Sequence, residues 1–200
     1  QEHKIAKLFR SKPLRYIRAS RSCIKILIFV TYRHSFGLTH QNIFTFPPSF
    51  EIYLRMESFA ELIRHTRFLP FAHRGASQLA PENTFAAFQI AHDLGFKIIE
   101  TDIRSSSDGV LYCFHDQSVK RMTGSLGNIE NLPSQHIDEL RINWTHSIPK
   151  LENLYEAFPN AYFNIDAKSW NCVDPLVDLV RRTNTSKRTC FGSFDQARLD

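Results

Sequence analysis

Two histidines sit where predicted strands end, and they are the side chains best suited to move protons. His73 follows the apolar run at residues 68–72, and His115 follows the run at 110–114. An imidazole exchanges its proton near neutral pH, so two of them can serve as the acid and the base of one reaction. A lone histidine at a strand end is more often structural. The second one, found after a pair of carboxylates, favours a catalytic role.

The carboxylates and an arginine suggest which substrate those histidines would serve. Arg74 adjoins His73, and its guanidinium fork matches the oxygens of a phosphate. Glu100 and Asp102 lie two residues apart on a predicted strand, so both side chains face the same way. Two like charges side by side are unfavourable unless a cation lies between them. The pair therefore predicts a divalent-cation site, the alternative being a chance pair on an exposed edge.

A second polar row follows on a later strand. Asn164, Asp166 and Lys168 alternate with the apolar Ile165 and Ala167, so the three polar side chains share one face. A polar face on an otherwise apolar strand is costly without a ligand or partners. The row therefore indicates that a ligand or partner groups meet this face of the strand.

The elements that position these residues alternate between strand and helix from residue 68 onward. Strands are predicted near residues 68–72, 97–103, 110–115, 161–167 and 188–193. Helices are predicted over residues 57–64, 84–94, 148–158 and 175–182, with residues 117–150 as a long irregular excursion. The candidate side chains lie at or near the carboxyl ends of strands. The predicted fold class is therefore α/β, a TIM-type (β/α)8 barrel truncated after about five strands.

Local chemistry at the start of this domain supports the same layout. Gly75 permits a sharp turn or the close approach of a ligand, because it carries no Cβ. Asn83 and Thr84 offer polar side chains that can cap the helix that follows, and Gly95 is predicted to end it. His92 lies on this helix and is expected to be a surface residue.

The net charge of +5 is unevenly distributed along the chain. Residues 1–55 carry ten Lys and Arg against two acids, whereas residues 56–200 carry fifteen against eighteen, a net −3. A mildly acidic body argues against nucleic acid as a partner. Residues 1–55 are predicted to be a basic non-domain segment upstream of a true start at Met56, with the catalytic domain at 56–200. A targeting or membrane-surface arm is the alternative.

The four cysteines are widely spaced and form no CxxC motif. Free thiols in a reducing compartment are expected, hence a cytoplasmic location, and neither a zinc site nor a disulfide framework. No apolar run approaches the roughly 20 residues that a transmembrane helix requires. Oligomeric state is left open.

Over residues 68–200 the chain resembles the glycerophosphodiester phosphodiesterase family, and its texture is most similar to actinobacterial members. The resemblance is carried by His73-Arg74-Gly75, Pro81-Glu82-Asn83-Thr84, Glu100-Thr101-Asp102, Asp108-Gly109, His115-Asp116, Ile148-Pro149-Lys150-Leu151 and Asp166-Ala167-Lys168. It implies a metal-dependent hydrolase of lipid metabolism that splits small glycerophosphodiesters into glycerol 3-phosphate and an alcohol.

The resemblance also implies a role for each candidate residue. His73 and His115 would be the acid–base pair, and Arg74 and Lys168 would bind the substrate phosphate. Three further residues would bind the metal: Glu100, Asp102 and Asp166. Many members have Glu where this chain has Asp166, so the carboxylate here lies one methylene further back. Oxygen ligands without cysteine suit Mg²⁺ or Ca²⁺.

Other interpretations remain open at this stage. A related barrel lyase of the phospholipase D type would stop at a cyclic phosphate, and the nucleophile could be water or the neighbouring glycerol hydroxyl. A binding protein with a relic site would keep the fold without turnover. The chain as given, with only part of a barrel, is predicted to be inactive because its last strand leaves an open sheet edge.

Overall fold

The protein is built around one mixed β-sheet, seen in a computed structural model that describes residues 28–29, 58–65 and 69–193. Five strands run parallel in the order β1-β2-β3-β7-β8. Their bounds are Ile28–Phe29 for β1, Pro70–His73 for β2, Ile98–Ser105 for β3, Tyr162–Ala167 for β7 and Thr189–Gly192 for β8. A short β4, Leu111–Cys113, is antiparallel to β3.

Helices connect the parallel strands in the pattern expected of a barrel wall. α1 spans Phe59–His65 and precedes β2, whereas α2 spans Phe85–Asp93 and joins β2 to β3. α5 spans Leu151–Ala157 and leads into β7, and α6 spans Val173–Thr183 and joins β7 to β8. Parallel neighbours joined by helices are the repeating unit of α/β barrels, so the predicted fold class is confirmed.

The ends of α2 follow the sequence signals. Thr84 is the N-cap, and its side chain accepts a hydrogen bond from the Ala87 N–H. Gly95 adopts a φ of 86° just beyond the C-cap and donates its N–H to the His92 carbonyl. Asn83 does not cap the helix, although it was predicted as an available cap, because its side chain turns toward β3.

Residues 117–150, predicted to be irregular, are in fact ordered. They contain α3 (Lys120–Thr123), a 3₁₀ turn (Ile129–Asn131), α4 (Ser134–Glu139) and the antiparallel pair β5 (Arg141–Ile142) and β6 (His146–Ser147). These pieces pack on their own buried apolar cluster, which includes Phe114, Val119, Ile137 and Ile142. Each piece is too short to show a period in the sequence, so tertiary burial determines its structure.

All five predicted strands exist, but one of them is not a barrel strand. β4 pairs antiparallel with residues 103–105 of β3, whereas β2 pairs with residues 98–100 of the same strand. β4 therefore continues the ladder beyond the end of β2 and runs back toward it. The prediction that 110–115 is one of the strands of the barrel is thus wrong, although His115 does follow the end of a strand.

The main apolar core lies between the sheet and helices α2, α5 and α6. Its central members are Ile99, Ile103, Phe163, Leu154 and Leu179, all buried. A smaller cluster packs Phe59 and Leu62 of α1 against the start of β2 and β3. The buried polar residues of β3 and β7 belong to neither apolar cluster, so they form a separate polar region of the sheet.

Part of the basic N-terminal segment enters the described structure. Ile28 and Phe29 pair with Pro70 and Phe71 of β2. The rest of residues 1–55 lies outside the described residues, so the predicted boundary at Met56 stays a prediction. In the parts of the chain that the structure describes, no helix has the length and apolar character to cross a membrane.

Candidate active site

β2 delivers His73 to the end of the sheet beside a buried carboxylate. The His73 Nε2 atom lies 4.0 Å from Glu100 Oε2, and the two residues are paired across β2 and β3. Burial, followed by the charge of Arg74, lowers the pKa of His73 to about 4. The imidazole is therefore neutral near pH 7 and can accept a proton.

Arg74 is fixed in an uncommon backbone conformation, with φ at 56°. Its N–H donates to Glu100 Oε2 at 2.8 Å, and its Nη1 donates to Glu82 Oε1 at 3.0 Å. Its Nε lies 3.0 Å from Asp102 Oδ2 without hydrogen-bond alignment. A left-handed conformation is unfavourable for a residue with a Cβ, so these contacts hold the guanidinium against local strain.

Gly75 makes this turn possible by letting α2 pass close behind it. Its φ is 75°, and a Cβ there would lie 2.7 Å from the Ala87 carbonyl carbon. The close approach is thus to the helix backbone. Of the two uses predicted for this glycine, the turn is the one seen.

The carboxylates of β3 and β7 meet across the parallel ladder. Asp102 is paired with Asp166, and Glu100 is paired with Asn164. The Lys168 Nζ atom lies 2.8 Å from Asp102 Oδ1 and 2.6 Å from Asp166 Oδ2. The ammonium therefore bridges the two strands at this end of the sheet.

The charges in this group are only partly balanced. Burial, reinforced by Asp102, raises the pKa of Glu100 well above its ordinary value. Burial would also raise the pKa of Asp102, but Lys168 and Arg74 outweigh it and the pKa is lowered. Among the described residues, no hydrogen-bond donor reaches the buried Asp166 Oδ1 atom. One more positive group would satisfy both Glu100 and Asp166.

Asn83 completes the wall of this pocket. Its Nδ2 donates to Asp102 Oδ2 at 3.0 Å, and its Oδ1 accepts from the Thr101 hydroxyl at 2.8 Å. Both bonds are buried. Asn83 therefore fixes the Asp102 carboxylate and leaves its second oxygen, Oδ1, to Lys168.

His115 follows β4, and main-chain contacts place the residues after β4 beside β3. The Phe114 N–H donates to the Asp102 carbonyl at 2.9 Å, and Arg104 Nε donates to the His115 carbonyl at 2.9 Å. The His115 Nδ1 atom lies 2.7 Å from Asp116 Oδ1. An ionised Asp116 only accepts hydrogen bonds, so Nδ1 carries the proton and Nε2 presents its lone pair in the neutral ring.

The carboxylate set fits a hard divalent cation in chemistry. Within residues 58–65 and 69–193, no group of three or more His, Cys, Asp or Glu is arranged to hold a metal ion as it stands. In this arrangement the Lys168 ammonium contacts both Asp102 and Asp166. Carboxylate oxygens such as those of Glu100 and Asp166 are nevertheless the ligands that Mg²⁺ or Ca²⁺ prefers.

Three residues with direct contacts to this site had no role assigned from the sequence. Glu82, Asp116 and Arg121 form ion pairs around the rim. Glu82 and Asp116 belong to the strings that carried the family resemblance, but no local pattern indicates their partners. Arg121 lies in the excursion and meets Glu82 only because that segment folds back over the sheet.

The parallel strands joined by helices define the α/β-barrel class, and comparison with known proteins specifies the family. The family model described as "Glycerophosphoryl diester phosphodiesterase family" matches residues 73–198. That match covers more than half of the chain. The protein belongs to this family.

Individual relatives support the same assignment. The chain is 36% identical over 139 residues to a probable glycerophosphodiester phosphodiesterase 2 of Mycobacterium tuberculosis, covering 69% of this chain and 53% of that protein. A crystal structure of a glycerophosphodiester phosphodiesterase from Agrobacterium tumefaciens superposes with a TM-score of 0.60 at 34% identity, covering 64% and 58% of the two chains. The chain thus spans about half the length of the curated relatives it matches.

A second structure holds a reaction product. An Oleispira antarctica phosphodiesterase in complex with the product sn-glycerol-3-phosphate has a TM-score of 0.62 and 27% identity, covering 66% of this chain and 60% of that one. The neighbours share the barrel fold. The described α/β sheet corresponds to part of such a barrel.

Proposed function

We propose that the protein, with its barrel complete, is a metal-dependent hydrolase that converts a glycerophosphodiester and water into glycerol 3-phosphate and an alcohol. The observation that carries this proposal is the convergence of His73, Arg74, Glu100, Asp102 and Lys168 at one end of a buried sheet. Family membership supports the reaction class, and the product complex of the Oleispira enzyme supports the product.

Arg74 and Lys168 are the groups that bind the phosphate. A phosphodiester is a monoanion that gains charge as it is attacked, so fixed positive groups favour the transition state over the ground state. The guanidinium of Arg74 is held on two sides, by Glu82 and by Asp102. It therefore meets the phosphate with little loss of side-chain freedom.

Glu100, Asp102 and Asp166 are proposed to hold one Mg²⁺ or Ca²⁺. When bound, the ion would supply electrostatic stabilisation of the phosphoryl oxygens. Asp166 Oδ1 supports the assignment because it is buried without a donor among the described residues. Lys168 would then share Asp102 and Asp166 with the ion and reach toward the substrate.

His73 and His115 are proposed to share the proton transfers. The neutral His73 ring can take the proton from the attacking hydroxyl. His115, with Nδ1 directed at Asp116, can pass a proton from Nε2 to the departing alcohol once the ring is charged. The assignment of acid and base to the two rings can be reversed without changing the sum of the reaction.

The test uses the chain extended through its natural downstream sequence, so that the barrel closes. Glycerophosphocholine is supplied with Mg²⁺ or Ca²⁺, and products are followed by phosphorus NMR. Glycerol 3-phosphate should accumulate, should vanish with chelator, and should be absent for Glu100→Gln but not for Glu152→Gln, a surface control. A cyclic phosphate as the final product would instead favour the lyase. Turnover that survives chelation would overturn the metal assignment.

A further inference from the structure

A continuous run of ion pairs joins the two proposed halves of the site through one residue of the excursion. Arg121, on α3, donates Nη2 to Glu82 Oε1 at 2.6 Å and Nε to Asp116 Oδ2. Residues 82 and 116 lie on separate loops, one after β2 and the other after β4. A single guanidinium therefore bridges the loop of His73 and the loop of His115.

Each of the two carboxylates has its other contact on a proposed active-site group. The Glu82 Oε1 atom that accepts from Arg121 also accepts from Arg74 Nη1 at 3.0 Å. Asp116 uses one oxygen for Arg121 and the other for His115 Nδ1. Arg121 thus lies one side chain away from both the phosphate-binding arginine and one histidine.

We propose that Arg121 is a positioning residue for this reaction, acting through Glu82 on Arg74 and through Asp116 on His115. The inference rests on the proposed function of the site and adds a residue to which no role has been assigned. Arg121 contacts Glu82 and Asp116, not the proposed phosphate position or the reacting atoms. Its work is to fix the orientation of the two groups that do.

Two physical effects follow from this bridge. Glu82 divides its charge between two guanidiniums, so Arg74 keeps more of its positive potential for the phosphate. Asp116 is held in one orientation, which keeps the proton of His115 on Nδ1 and Nε2 available for transfer. A planar fork with several donors can serve both carboxylates at once, whereas a lysine offers one point charge.

The bland alternative is that Arg121 forms an ordinary surface ion pair. Its side chain is 49% exposed, and exposed ion pairs contribute little to stability. The chain contains a matched control in Arg182 of α6, which pairs with Glu152 and is 63% exposed, outside the site. If Arg121 forms only an ordinary exposed ion pair, replacing Arg121 or Arg182 should have the same small effect on catalysis. If the bridge matters, only Arg121 should affect catalysis.

The experiment compares Arg121→Gln, Arg121→Lys and Arg182→Gln in the chain extended through its natural downstream sequence. With glycerophosphocholine as substrate, Arg121→Gln should lower kcat/KM on the order of 10-fold, as expected for a partner that orients catalytic groups. Arg121→Lys should recover part of the loss. The dissociation constant for glycerol 3-phosphate should rise for Arg121→Gln, while its melting temperature should match that of Arg182→Gln.

A double-mutant cycle tests the route of the effect. Asp116→Asn should lower kcat. The fold-loss in kcat of the double variant with Arg121→Gln should be smaller than the product of the two single fold-losses, because both residues act on His115. Equal kcat/KM for Arg121→Gln and Arg182→Gln would overturn the inference. So would full additivity with both Asp116→Asn and Glu82→Gln, or a loss explained by lower stability alone. Absence of turnover in the parent protein would instead reject the proposed function.

Discussion

Two partly buried cations of this protein, Arg188 and Lys168, are held in opposite ways. Arg188 donates to the carbonyls of Tyr155, Phe158 and Ala161 at 2.9 to 3.3 Å, and its guanidinium lies 5.3 Å or less from the rings of Tyr155 and Phe163. These partners are neutral main-chain and aromatic groups. Arg188 thereby closes the carboxyl end of α5 and ties it to β8.

Lys168 lies in a group that is not balanced by the described residues. Its ammonium contacts Asp102 and Asp166, while the pKa of Glu100 is raised and Asp166 Oδ1 has no donor within the described parts of the chain. The Arg188 region satisfies its own polar groups and contributes stability. In the Lys168 region, the negative charge of the carboxylates is not fully balanced by the described side chains. The contrast teaches that incomplete pairing of buried charge, more than burial itself, marks the site.

The largest effect should come from the histidines of the Lys168 region. His73→Ala or His115→Ala should lower kcat by at least about 10²-fold, the usual contribution of general acid–base catalysis. Steady-state hydrolysis of glycerophosphocholine by the extended chain measures it. His92→Ala, on the exposed side of α2, is the control and should keep normal turnover. A variant of either active-site histidine with near-normal kcat would remove that residue from the mechanism.

The second prediction contrasts Lys168 with Arg188 through added metal. Lys168→Met removes the ammonium that lies between Asp102 and Asp166, so the free energy of unfolding should fall by about 3 kcal/mol without metal. Mg²⁺ should restore much of that loss, because a cation again balances the carboxylates. Urea denaturation with and without Mg²⁺ measures both values. A loss that Mg²⁺ leaves unchanged would break the comparison.

The third prediction concerns the region around Arg188, where the guanidinium and the carbonyl groups hydrogen-bond to each other. Arg188→Met leaves three carbonyls without their donor, so the free energy of unfolding should fall by about 2 kcal/mol, whether or not metal is present. The kcat per folded molecule should not change. The exposed Arg181→Met on α6 provides the control for denaturation and activity. Reduced kcat at full folding would show that the two regions are coupled.

The smallest effect should lie outside both regions, at the start of α4. Hydrogen bonds from the Ser134 side chain, the largest cause, lower the pKa of Asp108 from 3.8 to about 2. A depressed pKa means that the stabilisation is complete above about pH 4 and is lost as the pH falls through about 2. Urea midpoints between pH 5 and 2 should therefore decline slightly less for Asp108→Asn than for the parent. Identical declines would exclude this contribution.

The sequence was sufficient for the regular part of the fold. β3 was predicted over residues 97–103 and spans Ile98–Ser105, and α6 was predicted over 175–182 and spans Val173–Thr183. Both have long apolar patterns with clear ends, so local preference and burial agree. The prediction that residues 117–150 are irregular was wrong, because the short helices and strands there are stabilised by packing against distant residues and not by a local pattern.

The candidate site likewise contains a part that the sequence pattern predicts and a part that depends on distant contacts. His73, Glu100 and Asp102 could be placed together because neighbouring parallel strands end at one edge. The direction of β4 could not be predicted from its apolar run. The contact between Arg121 and Glu82 could not be predicted either, because the two residues are 39 positions apart in the sequence. Roles of the site residues, the metal and the domain boundary at Met56 stay predictions.

If Glu100, Asp102 and Asp166 bind a catalytic cation, isothermal titration calorimetry should detect that binding. Mg²⁺ and Ca²⁺ are titrated into the extended chain, into Asp166→Asn and into Asp178→Asn, which alters an exposed acid of α6. The parent and Asp178→Asn should bind one ion per chain, and Asp166→Asn should bind at least about 10-fold more weakly. Equal affinity in all three proteins, or no binding by the parent, would contradict the claim.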